Sequence, residues 1–300
     1  MKGLKIKPTV FDIVIWFVVI VFSFFAVVSA QTPDWQAVEK VFGRKGMIQG
    51  DVFKITFPRS DLKVNIGEVS IEPGLALTSW VAFKPIGSHA MIMGDLVLLE
   101  GEVAPVMSKL IVGGVEITGL HNHLAGESPR VMYMHYYGQG EPTKLAETMK
   151  AAIALTKTPL TLPQPQQSPY TIDWTKVESI LGWTGQHKGT LLQISVPRTE
   201  TITENGMGVP PSMGAANAIN FQMIGGKAAT TGDFVLLASE VNPVVKALKE
   251  HGIAVTAIHN HMLTESPRLF FLHFWGVDDP EQLAKGLKAA LDKTNSAKRN

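Results

Sequence analysis

The stretch from Leu120 to Gly138, LHNHLAGESPRVMYMHYYG, returns as IHNHMLTESPRLFFLHFWG from Ile258 to Gly276. Phe83 matches Phe221, Gly94-Asp95 matches Gly232-Asp233, Glu102 matches Glu240 and His121 matches His259, all at one offset (221 − 83 = 259 − 121 = 138). A chain duplicated in this way must build the same elements twice in the same order.

Each copy of the repeated stretch reads as a strand, a short turn and a second strand. Alternating β-branched and aromatic residues run up to the His-Asn-His, and Gly126, Ser128 and Pro129, or Ser266 and Pro267, supply turn chemistry. Alternate residues of a strand share a face, so His121 and His123 point one way, as do His259 and His261. The returning strand adds His135 or His273, and the turn adds Glu127 or Glu265. If odd positions pair with odd ones, His135 joins the face of His121 and His123; an even-odd register sends it to the opposite face. The register, and with it a three-histidine site in each half, is left open by the sequence.

The remaining elements follow from periodicity and caps. Asp34-Trp35 opens a short helix with Val38, Val41 and Phe42 on its apolar side and Gly43 past its end, repeated as Asp173-Trp174, Val177, Ile180, Leu181 and Gly182. Strands alternate over Phe53 to Phe57 and Leu192 to Val196. Less regular segments, Asp61 to Leu77 and Glu200 to Ala216, read as long loops over a site. A strand pair over Ser79 to Pro85 and Ala90 to Leu99 leads to a helix from Glu102 to Val112 with Pro105 in its first turn. After the hairpin come closing helices from Pro142 and Pro280. The fold class expected is α+β: two tandem pseudo-symmetric repeats, each a mostly antiparallel sheet with helices before, within and after it.

The first thirty residues stand apart. Lys2, Lys5 and Lys7 precede an apolar run from Ile13 to Val28, and Val28-Ser29-Ala30 offers small residues where a signal peptidase reads. The expectation is a signal peptide over 1–30, cleaved after Ala30, and an exported protein, periplasmic or secreted; an uncleaved anchor is the alternative, and the only route to a membrane. Repeat domain 1 is then 31–157, a Pro/Gln-rich linker 158–170, and repeat domain 2 171–297. With no cysteine, lipid attachment at cysteine, disulfides and thiolate ligands are excluded. Net charge is +1 with no basic stripe, which speaks against nucleic acid as a partner.

Paired HNH and SPR…H hairpins, Gly-Asp strands and Glu-Val helices in both halves resemble the LppY/LpqO family of exported bacterial proteins, a domain of unknown function. That resemblance implies an address and an architecture but no reaction.

Chemistry therefore has to be read from the residues. His121, His123 and His135, with His259, His261 and His273, form candidate metal ligands, because neutral imidazoles with a carboxylate suit a divalent transition metal, zinc first among them. Glu127 and Glu265 are the candidate catalytic bases. Arg130 and Arg268 could orient those glutamates, and His89, which Lys227 replaces in the second copy, could support the first half. Asp95 and Asp233 read as turn residues, and Glu102 and Glu240 as helix-start charges. Three functions compete: an exported metal-dependent hydrolase, a cell-envelope module binding a small molecule or envelope component, and a structural protein whose histidines pin the hairpin register without metal. No other cofactor motif is present.

Overall fold

The computed structural model describes residues 33–161 and 172–298, all within one compact unit. The expected signal segment, and the expected linker from residue 162 onward, lie outside the described residues. Among the described residues no helix is long and apolar enough to cross a membrane.

The first half runs α1 (Trp35–Phe42), β1 (Met47–Gln49), β2 (Val52–Pro58), β3 (Val64–Ile66), β4 (Val69–Ile71), α2 (Pro73–Ala76), β5 (Thr78–Ile86) and β6 (His89–Leu99). It continues through α3 (Glu100–Val112), β7 (Glu116–His121), β8 (Glu127–Ser128), β9 (Val131–Gly140) and α4 (Pro142–Ile153). The second half runs α5 (Thr175–Leu181), β10 (Gln186–Lys188), β11 (Leu191–Pro197), β12 (Thr203–Glu204), β13 (Met207–Gly208), a 3-10 turn at Pro211–Met213, β14 (Ala216–Ile224) and β15 (Lys227–Leu236). It closes with α6 (Ala238–Glu250), β16 (Ala254–His259), β17 (Phe270–Asp278) and α7 (Pro280–Leu291). Each half holds a six-stranded antiparallel sheet, in the order β1-β2-β5-β6-β9-β7 and β10-β11-β14-β15-β17-β16. The α+β class in two repeats is therefore what the chain adopts.

Local chemistry explains the boundaries. The Asp34 carboxylate accepts the amides of Gln36 and Ala37, and Gly43 closes α1 at φ 68. In the second copy the helix starts one residue later, and Asp173 accepts the Thr175 amide at 2.9 Å. The central helix α3 begins at Glu100, so Pro105 falls in its second turn and not its first. Glu102 draws the start back by accepting the Leu99 amide at 2.8 Å. The missing hydrogen at Pro105 then costs α3 one internal bond, to the Gly101 carbonyl.

Both faces of each sheet are buried, and this joins the halves. Alternate residues Met134 and Tyr136 of β9 enter a core with α1, α3 and α4, through Phe42, Leu110 and Met149. Leu272 and Phe274 of β17 do the same against Val177, Leu248 and Leu287. The opposite faces meet across the interface, where Met91, Met93 and Tyr137 pack with Val209, Met213 and Phe271, and Leu75 and Tyr133 with Leu191 and Ala229. A contiguous apolar face left in water is an aggregation liability, which each half removes by covering the other's.

The irregular segments expected as loops over a site contain short strands and a helical turn, and each crosses to the other half. Gln193 donates to the Gly74 carbonyl at 2.7 Å and Asn220 to that of Leu75 at 3.1 Å. In the reverse sense Lys54 donates to the Ser212 carbonyl at 3.0 Å. Gly74 and Ser212 are equivalent positions (212 − 74 = 138), so each half straps the other down at the same point.

A buried arginine repeats in both halves at the end of a strand. Arg59, with a side chain 0% exposed, spans Glu102, Asp61 and the Val97 carbonyl, and Arg198 spans Glu240, Glu200 and the Val235 carbonyl. It ties β2 to the start of α3, and β11 to the start of α6.

Candidate metal centre

The hairpin register answers the question that the sequence leaves open. Gly119 stands opposite His135 and His121 opposite Tyr133, so odd positions pair with odd ones, after a bulge between Ile117 and Gly119. The second half repeats it, with Ala257 opposite His273 and His259 opposite Phe271. The connection from β7 to β9 is longer than a tight turn. His123 and His261 sit at its start, held because Asn122 donates to the Leu124 carbonyl at 2.7 Å and Asn260 to that of Leu269 at 2.6 Å. The central Asn of each His-Asn-His thus pins the loop that carries the second imidazole.

All six histidines face the interface and meet at one place. Within the first half the ring centres of His121, His123 and His135 are 5.0, 4.9 and 5.9 Å apart, with planes within 23° of parallel. In the second half, His259, His261 and His273 lie 4.8, 4.8 and 6.1 Å apart. Across the interface the rings stack face to face: His121 on His259 at 3.4 Å, His123 on His273 at 3.6 Å and His135 on His261 at 3.7 Å. The six imidazoles form a triangular prism, one layer from each half. Tyr133 lies over the outer face of His123 at 3.5 Å and Phe271 over that of His261 at 3.7 Å, which holds those planes.

The ring nitrogens are sorted by their partners. His273 Nδ1 faces the Gly232 carbonyl at 2.7 Å, and the Gly94 carbonyl serves His135. His121 and His259 turn Nδ1 to the carbonyls of Asn122 and Asn260 at 3.2 and 3.4 Å. A ring that donates from Nδ1 keeps its lone pair on Nε2. Among the described residues, the Nε2 atoms of all six are buried without a hydrogen-bond partner. Such orphaned acceptors are costly, and they have the posture of metal ligands. Four of the rings, those of His121, His135, His259 and His273, are already oriented by a backbone carbonyl, and those of His123 and His261 by the stacked rings of Tyr133 and Phe271.

The repeated Gly-Asp contributes twice. Gly94 and Gly232 sit where a Cβ would strike the Trp80 and Ala218 carbonyls, and the bare backbone lets their own carbonyls reach His135 and His273. Asp95 and Asp233 follow, opposite His135 and His273 in the ladder. Their Oδ2 atoms lie 3.8 Å from His123 Nε2 and 3.7 Å from His261 Nε2, and each Oδ1 is buried and unpartnered. Ligand atoms lying within 4.8 Å of one another define three metal-capable groups: His121, His123, His135 and His261; His121, His259 and His273; Asp233, His261 and His273. A cavity of about 380 Å³ between the halves leads to both aspartates and to His123, His135, His261 and His273.

The carboxylates beside the cluster are therefore Asp95 and Asp233, not Glu127 and Glu265. Glu127 accepts the Val131 amide at 3.4 Å in the turn, and Glu265 accepts that of Leu269 at 3.1 Å. They serve the turn because the main chain there leaves amides in need of an acceptor. Arg268 pairs with Glu265 at 3.2 Å, while Arg130 is exposed. His89 is exposed at the β5-β6 turn beside Ser88, remote from the cluster, and Lys227 occupies the equivalent exposed position. The signal for the aspartates was present, since Asp95 interrupts an apolar strand (MIMGDLVLL) that is buried almost throughout.

Burial governs the charges. It pushes His121 down to about 4 and His259 to about 3, holds the other four well below the usual imidazole value, and raises Asp95 and Asp233 well above the usual carboxylate value. As pH falls through about 6.5 the unfolded chain takes up protons that the metal-free fold refuses, so stability falls from there down to about 4 for His121 and about 3 for His259. The raised aspartates act oppositely, losing their contribution as pH rises, but six imidazoles outweigh two carboxylates. Melting in chelator is expected at a lower temperature at pH 5 than at pH 7; an unchanged value would contradict neutral buried rings.

No curated protein matches the sequence. Among solved structures, the trimeric bacterial microcompartment shell protein PduB is 12% identical over 82% of this chain and 87% of that one, with a TM-score of 0.19. EtuB from Clostridium kluyveri is 10% identical over 83% and 88%, with a TM-score of 0.19. Likenesses this slight support no reading of fold or function. The sequence model described as Domain of Unknown Function (DUF1259) matches residues 36–155 and again 175–293, one copy per layer of the histidine prism, and the chain belongs to that family.

Proposed function

We propose that this protein is a metal-dependent hydrolase whose centre is shared by its two halves. The observation that carries this reading is the set of six buried, unpartnered Nε2 atoms converging from two hairpins. Zinc is the favoured ion, since neutral imidazoles with nearby carboxylates suit it and it lowers the pKa of bound water to about 7. The six histidines would hold the ion, which would supply an activated water beside the cavity. Asp95 or Asp233 would accept a proton from that water as its oxygen bonds to an acyl or phosphoryl centre of a small molecule, and would return the proton to the leaving group as the bond to that group breaks. Export with cleavage after Ala30, and kinship with the LppY/LpqO proteins, complete the proposal and direct the search for substrates to the cell envelope.

Metal analysis of protein purified without a His tag tests the reading; a chain that takes up no stoichiometric divalent ion overturns it. Asp95→Asn with Asp233→Asn is expected to lower hydrolysis by about 10²–10⁴ when measured with the ion at saturation. Ligand binding that survives both chelation and these substitutions would favour the envelope binding module instead.

A further inference from the structure

The two stacked layers carry a statement about how many ions the site holds and where the reacting oxygen enters. An ion bound at about 2.0 Å by three imidazole nitrogens lies about 3.2 Å from each ring centre, and three such rings stand about 5.5 Å apart. The spacings are 4.9 to 5.9 Å in one half and 4.8 to 6.1 Å in the other. Each triangle is thus the size that one ion in its own plane requires. The layers lie 3.4 to 3.7 Å apart, near the roughly 3.5–4 Å separating paired metals that act on one substrate.

We infer that the centre is binuclear: one divalent ion in the plane of His121, His123 and His135, a second in the plane of His259, His261 and His273, bridged by an oxygen that enters from the cavity. The inference rests on the metal reading above and fixes its stoichiometry. A single ion midway between the layers would lie about 2.6 Å from the nitrogens, too long for zinc at about 2.0 Å. A single ion on His121, His123, His135 and His261 would leave the Nε2 atoms of His259 and His273 buried and unpartnered. Two ions satisfy all six.

The prism also has a preferred entrance. Its widest side lies between the His123/His273 and His135/His261 stacks, at 5.9 and 6.1 Å. Those four rings and both aspartates line the cavity, whereas His121 and His259 do not. A water or hydroxide arriving by this side meets both ions and a carboxylate. Its negative charge and those of Asp95 and Asp233 offset most of the charge that two divalent ions bring into a buried place.

The test uses the full-length chain without a tag, stripped by chelator and reloaded with Zn²⁺ or, as a spectroscopic probe, Cu²⁺. The expected result is two ions per chain after desalting, and a spin-coupled EPR spectrum when both are Cu²⁺. His273→Leu and His135→Leu, which act on opposite layers, are each expected to reduce the content to one ion with an uncoupled spectrum; either variant suffices if the other fails to fold. Saturation of the unaltered protein at one ion overturns the binuclear centre while sparing the metal reading. Two uncoupled ions also overturn it, because the second would then lie elsewhere. No ion at all overturns both.

Discussion

His135→Leu should lower the affinity of the first layer for its ion by at least about 100-fold, the upper end of what loss of a mere orienting partner costs. The same substitution should leave the metal-free protein as stable as before or more so. His135 is 5% exposed in the sheet interface and its Nε2 has no partner, so removing it relieves an unsatisfied buried group costing about 1–3 kcal/mol. Against that gain stands the loss of its contact with the Gly94 carbonyl. A histidine retained to pin the hairpin register would behave in the opposite way: its replacement would lower the melting temperature and leave metal uptake untouched. Calorimetric metal titration paired with thermal melting in chelator separates the two cases. Unchanged affinity with a melting temperature lower by several degrees would assign His135 to the scaffold.

The largest loss of stability is expected away from the histidine cluster, at Arg59. Its guanidinium donates to Glu102 at 2.7 and 3.1 Å, to Asp61 at 2.9 and 3.0 Å and to the Val97 carbonyl at 2.6 Å. Removing one partner of a buried ion pair leaves the other charge without its counter-ion, and Arg59→Ala is expected to cost about 3–5 kcal/mol. Glu102 would keep only the Leu99 amide. Arg59→Lys should recover little, because one ammonium cannot reproduce the planar fork that serves two carboxylates and a carbonyl together. Pairing each change with Glu102→Gln in a denaturant double-mutant cycle isolates the coupling. A loss below about 1 kcal/mol for Arg59→Ala would place this pair with weak surface bridges. Arg198→Ala is expected to match it, since Glu240 and Glu200 surround Arg198 in the same way.

Several features at the site were legible from residue order because they depend on neighbours in the chain. The alternation of β7 and β9, the caps of α1 and the Pro142 and Pro280 helix starts all arise within a few residues. The six histidines were conspicuous by repetition. The aspartates were equally repeated, but Gly-Asp is also a turn signal, and only a β6 that runs straight through Asp95 shows that no turn is there. Glu127 looked like a base from its spacing. Spacing does not reveal that the turn amides of Val131 and Leu269 would claim Glu127 and Glu265.

What the order of residues determined by itself is a two-copy α+β chain in which His121 and His123, like His259 and His261, share one side of their strand, since period-two alternation is a property of the strand alone. The pairing of the hairpin strands then brings His135 and His273 to the same faces. What only the tertiary structure decided is that these faces meet. Residues 138 positions apart, such as His121 and His259, stack at 3.4 Å because each sheet has a second apolar face that must be covered, and the other copy offers the matching one. Two separate histidine triads thereby become one cluster, as contact between distant segments follows from burial of whole surfaces and leaves no local mark in the chain.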